Sequence, residues 1–385
     1  MSALILFLST VVYFPHALMI VAALMMGLRN GLFERVGFGF KTWTKSQIWN
    51  AIVICLILLL SFINWLWSFD PSLGISANIT SFLLLPFTLL AGVSFTRGDA
   101  KILLALIALE CLVGCYEFSM GIRSIIPSIN AATTPIIDEG LWYSSRVYGL
   151  SSNSSVLALK VFAGLLLIHF YEFKGFKTRV IEILFVLGVV VTFNRTVIVT
   201  LVLMYCLSFI LNALEKRSNE RRNLARIVLL TLGIIAAFVL IFFYFDSLLF
   251  QFTRDKGVDL SGRDEIWAFF AEFIFNNLWL GNGTVKLLTE EGKHAHNSFL
   301  QLIASNGIAI ALGYFVLIVS NINRKNLVLL IALVVYSSTQ YGIFWGISLL
   351  DILLYLFLFQ SSKMLKTNKN LSPLRFPVEQ VGKGA

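Results

Sequence analysis

Charge is what this sequence has least of. Only 13% of its 385 residues are Asp, Glu, Lys or Arg, where a soluble globular chain carries about 25%. With 58% hydrophobic residues and a mean hydropathy of +0.83, the chain has too little polar side chain to dress a soluble surface. Proline is scarce as well, at 7 residues, and no low-complexity tract occurs, which excludes disorder for all but the C-terminal tail. The 4 cysteines, Cys55, Cys111, Cys115 and Cys206, all fall inside apolar runs. That excludes a disulfide framework outside the membrane and leaves them as small packing residues. A D-x-D element is also missing.

What is present is aromatic and aliphatic bulk: 34 Phe, 8 Trp and 11 Tyr, residues that a bilayer accepts both in its core and at its interfaces. The expected class is an all-α, polytopic transmembrane helix bundle. Apolar runs able to cross roughly 30 Å of hydrocarbon lie at about 3–27, 48–68, 78–96, 102–121, 154–172, 180–194, 196–214, 227–246, 298–320, 327–342 and 345–361, or eleven spans. The first is ambiguous, because Pro15 and His16 could split it into two short helices and make twelve.

The net charge of +9 would raise the question of nucleic acid in a soluble protein; here it encodes topology and no nucleic-acid partner is expected. One set of loops and the tail hold 21 of the 30 Lys and Arg, from Arg29 to Lys383, and the opposite set holds 8, with Lys160 inside a span. By the positive-inside rule the first set is cytoplasmic. Eleven spans give an outside N-terminus and twelve an inside one. No basic region precedes residue 3, so no cleavable signal peptide is evident. Two outside segments, 122–153 and 247–297, exceed what a connection needs, and long loops usually carry function.

Basic residues on the disfavoured outer side are the candidates for chemistry. Arg195, in T-F-N-R-T between two apolar runs, is either a snorkelling marker of a tight turn or an anion ligand in a water-filled cavity. In L-S-G-R-D-E-I-W (260–267), Ser261 and Asp264 form a capping-box variant. The positions Ile266, Phe269, Phe270, Phe273 and Ile274 recur at helical spacing, with Gly281 as a stop. An interfacial helix is therefore expected over about 262–279. Arg263 would sit in its first turn, as an anion ligand or as a solvated residue partly cancelled by Asp264 and Glu265.

The same loop ends in K-H-A-H-N (293–297), with Lys293, His294, His296 and Asn297 at the mouth of a span. Two His without a third ligand make a weak metal signal, so no metal is expected, and an imidazole there suits proton transfer near neutral pH. In S-R-V-Y-G-L-S-S-N (145–153), Arg146, Gly149 and Asn153 precede another span. Lys160, about 9 Å deeper, either faces the same cavity or snorkels to the interface. Glu110, Glu182 and Asp351 are scattered intramembrane charges without evident partners in the sequence.

In order, the Arg146–Gly149–Asn153 element, the Asn194–Arg195 pair, the S-G-R-x-x-x-W element at 261–267 with G-N-G at 281–283, and the His element resemble the bacterial O-antigen ligase and polymerase superfamily. The family's His pattern is His, then Asn, Ser or Gln, nine residues, Gly, two residues, and Gly, Thr or Tyr. His296, Asn297 and Gly307 fit it, Ile310 does not, and Asn194 stands where the family usually has Ser. The resemblance covers about 146–320. It divides the chain into N-terminal transmembrane helices (1–145), a ligase/polymerase-like core (146–320) containing the outer loop 247–297, C-terminal transmembrane helices (321–361) and a cytoplasmic tail (362–385).

The resemblance implies a metal-independent glycosyltransferase, without a cofactor, in the bacterial inner membrane with its site facing outward. Its donor would be an undecaprenyl-diphosphate-linked oligosaccharide. Its acceptor would be a second lipid-linked glycan in a polymerase or lipid A-core in a ligase, with membrane lipids, a flippase and a chain-length regulator as further partners. Arg195 and Arg263 would hold the diphosphate. Arg146, Asn153, Lys160, Lys293, His294 and Asn297 would line the substrate, and His296 would position or deprotonate the acceptor. The failed last position of the His pattern and the modest second loop favour a polymerase of O-antigen or a similar surface polysaccharide. A lipid or polysaccharide transporter is the rival class, but no internal repeat is found and the polar residues gather on one face.

Overall fold

A computed structural model of the protein describes residues 1–29, 44–68, 81–126, 146–215, 263–344 and 346–370. The expected span at 227–246, the cap residue Ser261, the outer-loop Asp70, most of the first outer segment and the end of the tail lie outside the described residues. Among those described there are thirteen helices and no strand.

The first apolar run is not one span. It forms α1 (Ser2–Leu8) and α2 (Leu18–Arg29), separated by a turn through Pro15, a residue that cannot supply a helical N–H. The two fold back on each other, because both outer ends meet one carboxylate. Ser2 Oγ donates to Asp99 at 3.3 Å, and Arg29 grips Asp99 through two N–H groups at 2.8 and 2.6 Å. The turn at the far end is pinned by Val12 N–H on the Leu150 carbonyl (3.2 Å) and by His16 Nε2 against the Ile347 carbonyl (3.1 Å).

There follow α3 (Lys45–Trp67), α4 (Ser81–Ser94), α5 (Arg97–Ser119), α6 (Ser154–Phe170), α7 (Phe176–Thr192) and α8 (Arg195–Glu215). Helices α3 and α5 both begin in capping boxes, Thr44 with Gln47 and Thr96 with Asp99. These two are long and apolar enough to cross a membrane by themselves; the other apolar helices are shorter. Helix α3 buries Asn50, Ser61 and Asn64 while exposing Ile52, Leu56, Leu59 and Ile63. A surface more apolar than the packed face beneath it is unfavourable in water and suits lipid.

Helix α6 is buried on nearly every side and forms the centre of the bundle, packed by α5, α7 and α13. The last part comprises α9 (Arg263–Asn276), α10 (Ser298–Asn306), α11 (Ile308–Ser320), α12 (Leu327–Thr339) and α13 (Leu349–Asn370). The run 298–320, expected as one span, is broken at Gly307. The segment after α9 crosses there and uses the end of α10 as its partner: Asn282 N–H meets the Ala304 carbonyl, Thr284 N–H meets Ser305, and Ile308 N–H meets Leu278, each at 2.8 Å. Gly307 has φ +79°, and a Cβ on it would lie 2.0 Å from the Trp279 carbonyl oxygen. Only glycine permits that approach.

Residues assigned to the cytoplasmic side gather at one end of the bundle. Arg29 pairs with Asp99, Arg97 lies over Phe173, and Lys325 pairs with Glu172. The candidate site residues gather at the other end. All four cysteines are free thiols.

Candidate active site

Two acidic residues on α5 build the first wall. Glu117 is fully buried and accepts backbone N–H groups from Ile125 (2.9 Å), Tyr148 (3.2 Å) and Gly149 (2.7 Å). This ties both ends of the first outer segment to the helix and places the half-buried Arg146 at its rim. About two turns earlier on the same face of α5, Glu110 accepts Ser151 Oγ at 2.7 Å and, through both of its oxygens, Lys160 Nζ at 2.9 Å. Lys160 is 1% exposed and Glu110 0%, so the lysine does not snorkel; it is matched by a carboxylate that looks isolated in the sequence. Glu117 is a residue that sequence reasoning missed. The available signal was two acids seven residues apart on one apolar helix, which puts them on the same face. Asn153 caps α6 by accepting the Val156 N–H at 3.0 Å.

The second wall is the turn between α7 and α8. Phe193 adopts φ +48° and Asn194 accepts the Val197 N–H at 3.1 Å. Asn and Ser both serve as N-caps, which explains physically why Asn194 can replace the family's usual Ser. Arg195 is then the first residue of α8 and half-buried. Its neighbour Thr196 meets Thr339 hydroxyl to hydroxyl at 3.4 Å, and Arg263 Nη1 donates to the Thr339 carbonyl at 2.8 Å. Thr196, the residue after Arg195, and Arg263, far apart in sequence, thus converge on the end of α12.

The third wall is the His element. Helix α9 runs from Arg263 to Asn276, three residues shorter at its end than the sequence predicts. It buries Ile266 and Phe270 against Leu287, Ala295 and Ala304, while Phe269 is 37% exposed. Its Trp267 donates to the Ala295 carbonyl at 2.6 Å, and Ala295 N–H donates to Gln301 Oε1 at 3.0 Å. With Ala295 held on both sides, His296 takes φ +49°, a left-handed conformation uncommon outside glycine and tolerated better by His than by branched residues. Asn297 then caps α10 through the N–H groups of Phe299 (2.9 Å) and Leu300 (3.1 Å). The His294 and His296 rings lie 4.2 Å apart, and His294 is 5.4 Å from Tyr341.

A cavity of about 620 Å³ opens between these walls, lined among others by Arg146, Asn153, Lys160, His294 and His296, and by the α1–α2 turn from Ser9 to His16. Arg195 and Arg263 are not among its lining residues. Lys293 is directed elsewhere: it is exposed and pairs with Glu291. Among the described residues, no group of three or more His, Cys, Asp or Glu comes together as a metal would need.

Burial holds both imidazoles below the ordinary histidine value, and the Arg263 charge adds to this. His294, which also faces His296 and Lys286, is pushed down to about 4. An imidazole held below about 6.5 is neutral at pH 7, so His296 has a lone pair to offer. The arrangement brings Arg263, a neutral imidazole and a polar cavity together at one end of a lipid-compatible helix bundle.

Such a bundle, with its site assembled from four separated segments, belongs among membrane-integral proteins. Residues 180–315, about a third of the chain, match the family model described as O-antigen ligase, which supports the O-antigen ligase-related superfamily and its general membrane function. No curated protein matches the chain. The match contains Arg195, Arg263, Lys293, His294, His296 and Asn297. Arg146, Asn153, Lys160 and the N-terminal turn lie outside it and join the site only through the fold.

Proposed function

We propose that the protein transfers an undecaprenyl-diphosphate-linked glycan to a sugar hydroxyl at the outer face of the bacterial plasma membrane, without a metal ion, and that it polymerises lipid-linked repeat units of a surface polysaccharide. The observation that carries this reading is the convergence of Arg263 and the start of α8 on Thr339, beside a neutral His296. Guanidinium groups suit a diphosphate because their paired N–H groups match its oxygens. In the reaction the acceptor oxygen attacks the anomeric carbon, the bond from that carbon to the diphosphate oxygen breaks, and its electron pair leaves with the diphosphate. The hydroxyl proton passes to His296, and Arg195 and Arg263 offset the charge that develops on the leaving group.

Polymerisation is favoured by the modest length of the second outer segment in the sequence. Ligation to lipid A-core is the second reading, favoured by the description of the matching family model. Ile310, the position that departs from the His pattern, is 3% exposed and packed within α11, so its identity bears on packing and does not separate the two.

Purified protein in liposomes, supplied with lipid-linked repeat units with and without lipid A-core and in the presence of a chelator, should produce a ladder of products. A single product that requires lipid A-core would select the ligase. No transfer by a folded protein, or strict dependence on added metal, would overturn the reading.

A further inference from the structure

The cavity beside His296 holds two cations, Arg146 at its rim and Lys160 in its wall. Lys160 is the cation deepest in its wall, but its charge is already matched: both oxygens of Glu110 sit 2.9 Å from Nζ, and the Phe7 ring lies 5.1 Å away. A neutralised pair presents little net field to a diphosphate. It still presents hydrogen-bonding capacity, since an ammonium has three N–H groups and only two go to Glu110. Ser151 joins the same carboxylate. The facing wall is the α1–α2 turn, where Ser9 and Thr10 donate to the carbonyls of Leu6 and Phe7 at 2.6 Å. Their hydroxyl oxygens remain acceptors. Tyr341 and Gln340 complete this lining. Apart from Arg146 at the rim, the lining offers uncharged donors and acceptors around an aromatic ring, in a volume of about 620 Å³, which suits a sugar ring.

Resting on the proposed function, we propose that this cavity is the acceptor-sugar subsite: the neutral pyranose that supplies the attacking hydroxyl sits between the Lys160–Glu110 pair and the Ser9–His16 turn, in a space that Arg195 and Arg263 do not line. The N-terminal hairpin is then a specificity wall. The lysine acts on sugar hydroxyls and the arginines act on the diphosphate.

Two probes that lack a lipid diphosphate, and so act only as acceptors, distinguish the sources of the sugar: a labelled glycoside of the repeat unit and delipidated core oligosaccharide. Acceptor and donor KM are measured separately for the wild type, for Thr10→Trp, which fills the cavity from the turn, and for the double variant Lys160→Met/Glu110→Gln, which removes the pair without stranding either charge. Each should raise the KM of whichever acceptor the wild type uses by about tenfold or more, the scale on which a pocket discriminates a small group, with donor KM within about twofold of wild type. The double variant controls for misfolding of the first, since the two act from opposite walls. Unchanged acceptor KM in both folded variants, or donor KM rising in step with it, overturns the subsite. So does a wild type that turns over the lipid-linked donor yet neither binds nor uses either probe. A wild type with no transfer from the lipid-linked donor at all would instead sink the functional reading, and the subsite with it.

Discussion

Trp267 donates its indole N–H to the Ala295 carbonyl across 2.6 Å, so the helix that begins with Arg263 also holds the residue that precedes His296. One hydrogen bond links the element that carries the arginine to the element that carries the imidazole. Trp267→Phe keeps most of the ring packing and removes the bond. It should lower kcat by about tenfold with donor KM little changed, and cost about 1 kcal/mol of stability, read by transfer kinetics and thermal unfolding in detergent. Equal kcat would mean that the bond does not position His296.

His296→Ala should reduce transfer by about 100-fold or more, the lower end of what general-base catalysis contributes, while the purified variant unfolds at close to the wild-type temperature. The ring makes only partial contacts and the adjacent cap is supplied by Asn297. Normal product from a well-folded variant would remove His296 from the chemistry.

Arg195→Lys and Arg263→Lys should each lose at least about tenfold in activity, because a point charge does not replace the two-pronged guanidinium. Arg263→Lys also breaks the bond to the Thr339 carbonyl. Full activity in Arg195→Lys would make that residue a marker of the outer turn and nothing more.

The pH profile follows from the lowered histidines. The competent form of His296 is neutral, and burial together with Arg263 holds its value down. Activity should therefore persist as pH falls to about 6.5, the ordinary histidine value, and be lost only below it. His294 lies against the His296 ring, with Tyr341 on its other contact and the Lys286 charge adding to its own lowering. Stability has the same sign: an imidazole that is harder to protonate when folded favours unfolding as pH drops below the ordinary value. Arg263→Gln should move the acid limb upward; a limb already above pH 7 in the wild type would contradict the assignment.

Gly307→Ala should destabilise the outer half of the site, since the new methyl would collide with the Trp279 carbonyl oxygen at φ +79°. A loss of about 2 kcal/mol or more is expected from the left-handed backbone and the clash together, seen as faster proteolysis within 278–297 before global unfolding. Wild-type protection of that segment would show that the crossing tolerates a side chain.

The helical class, the clustering of charge by side and the residues worth testing were legible in the sequence because they depend on composition, local periodicity and order along the chain. The split of the first run was legible as an alternative through Pro15, a local signal. The break at Gly307 was not read, although Asn306-Gly307 is a local stop signal; what requires it is the neighbouring segment that takes its place against the backbone. Glu117 was overlooked for a related reason: an acid in an apolar run has no meaning until the backbone N–H groups it receives are known. Lys293 looked like one more cation at the site, and its pairing with Glu291 in a tight exposed loop is a matter of loop conformation.

By itself, then, the sequence determined that this is an apolar helical protein and singled out a few cations and one His element for test, since bilayer compatibility and motif spacing are properties of the chain alone. Only the tertiary structure decided which cations work together. It pairs Lys160 with Glu110, brings Thr196 and Arg263 to Thr339, and places the N-terminal turn in one cavity with His296. Those are contacts between residues up to hundreds of positions apart, and helix packing, not sequence order, determines which of them meet.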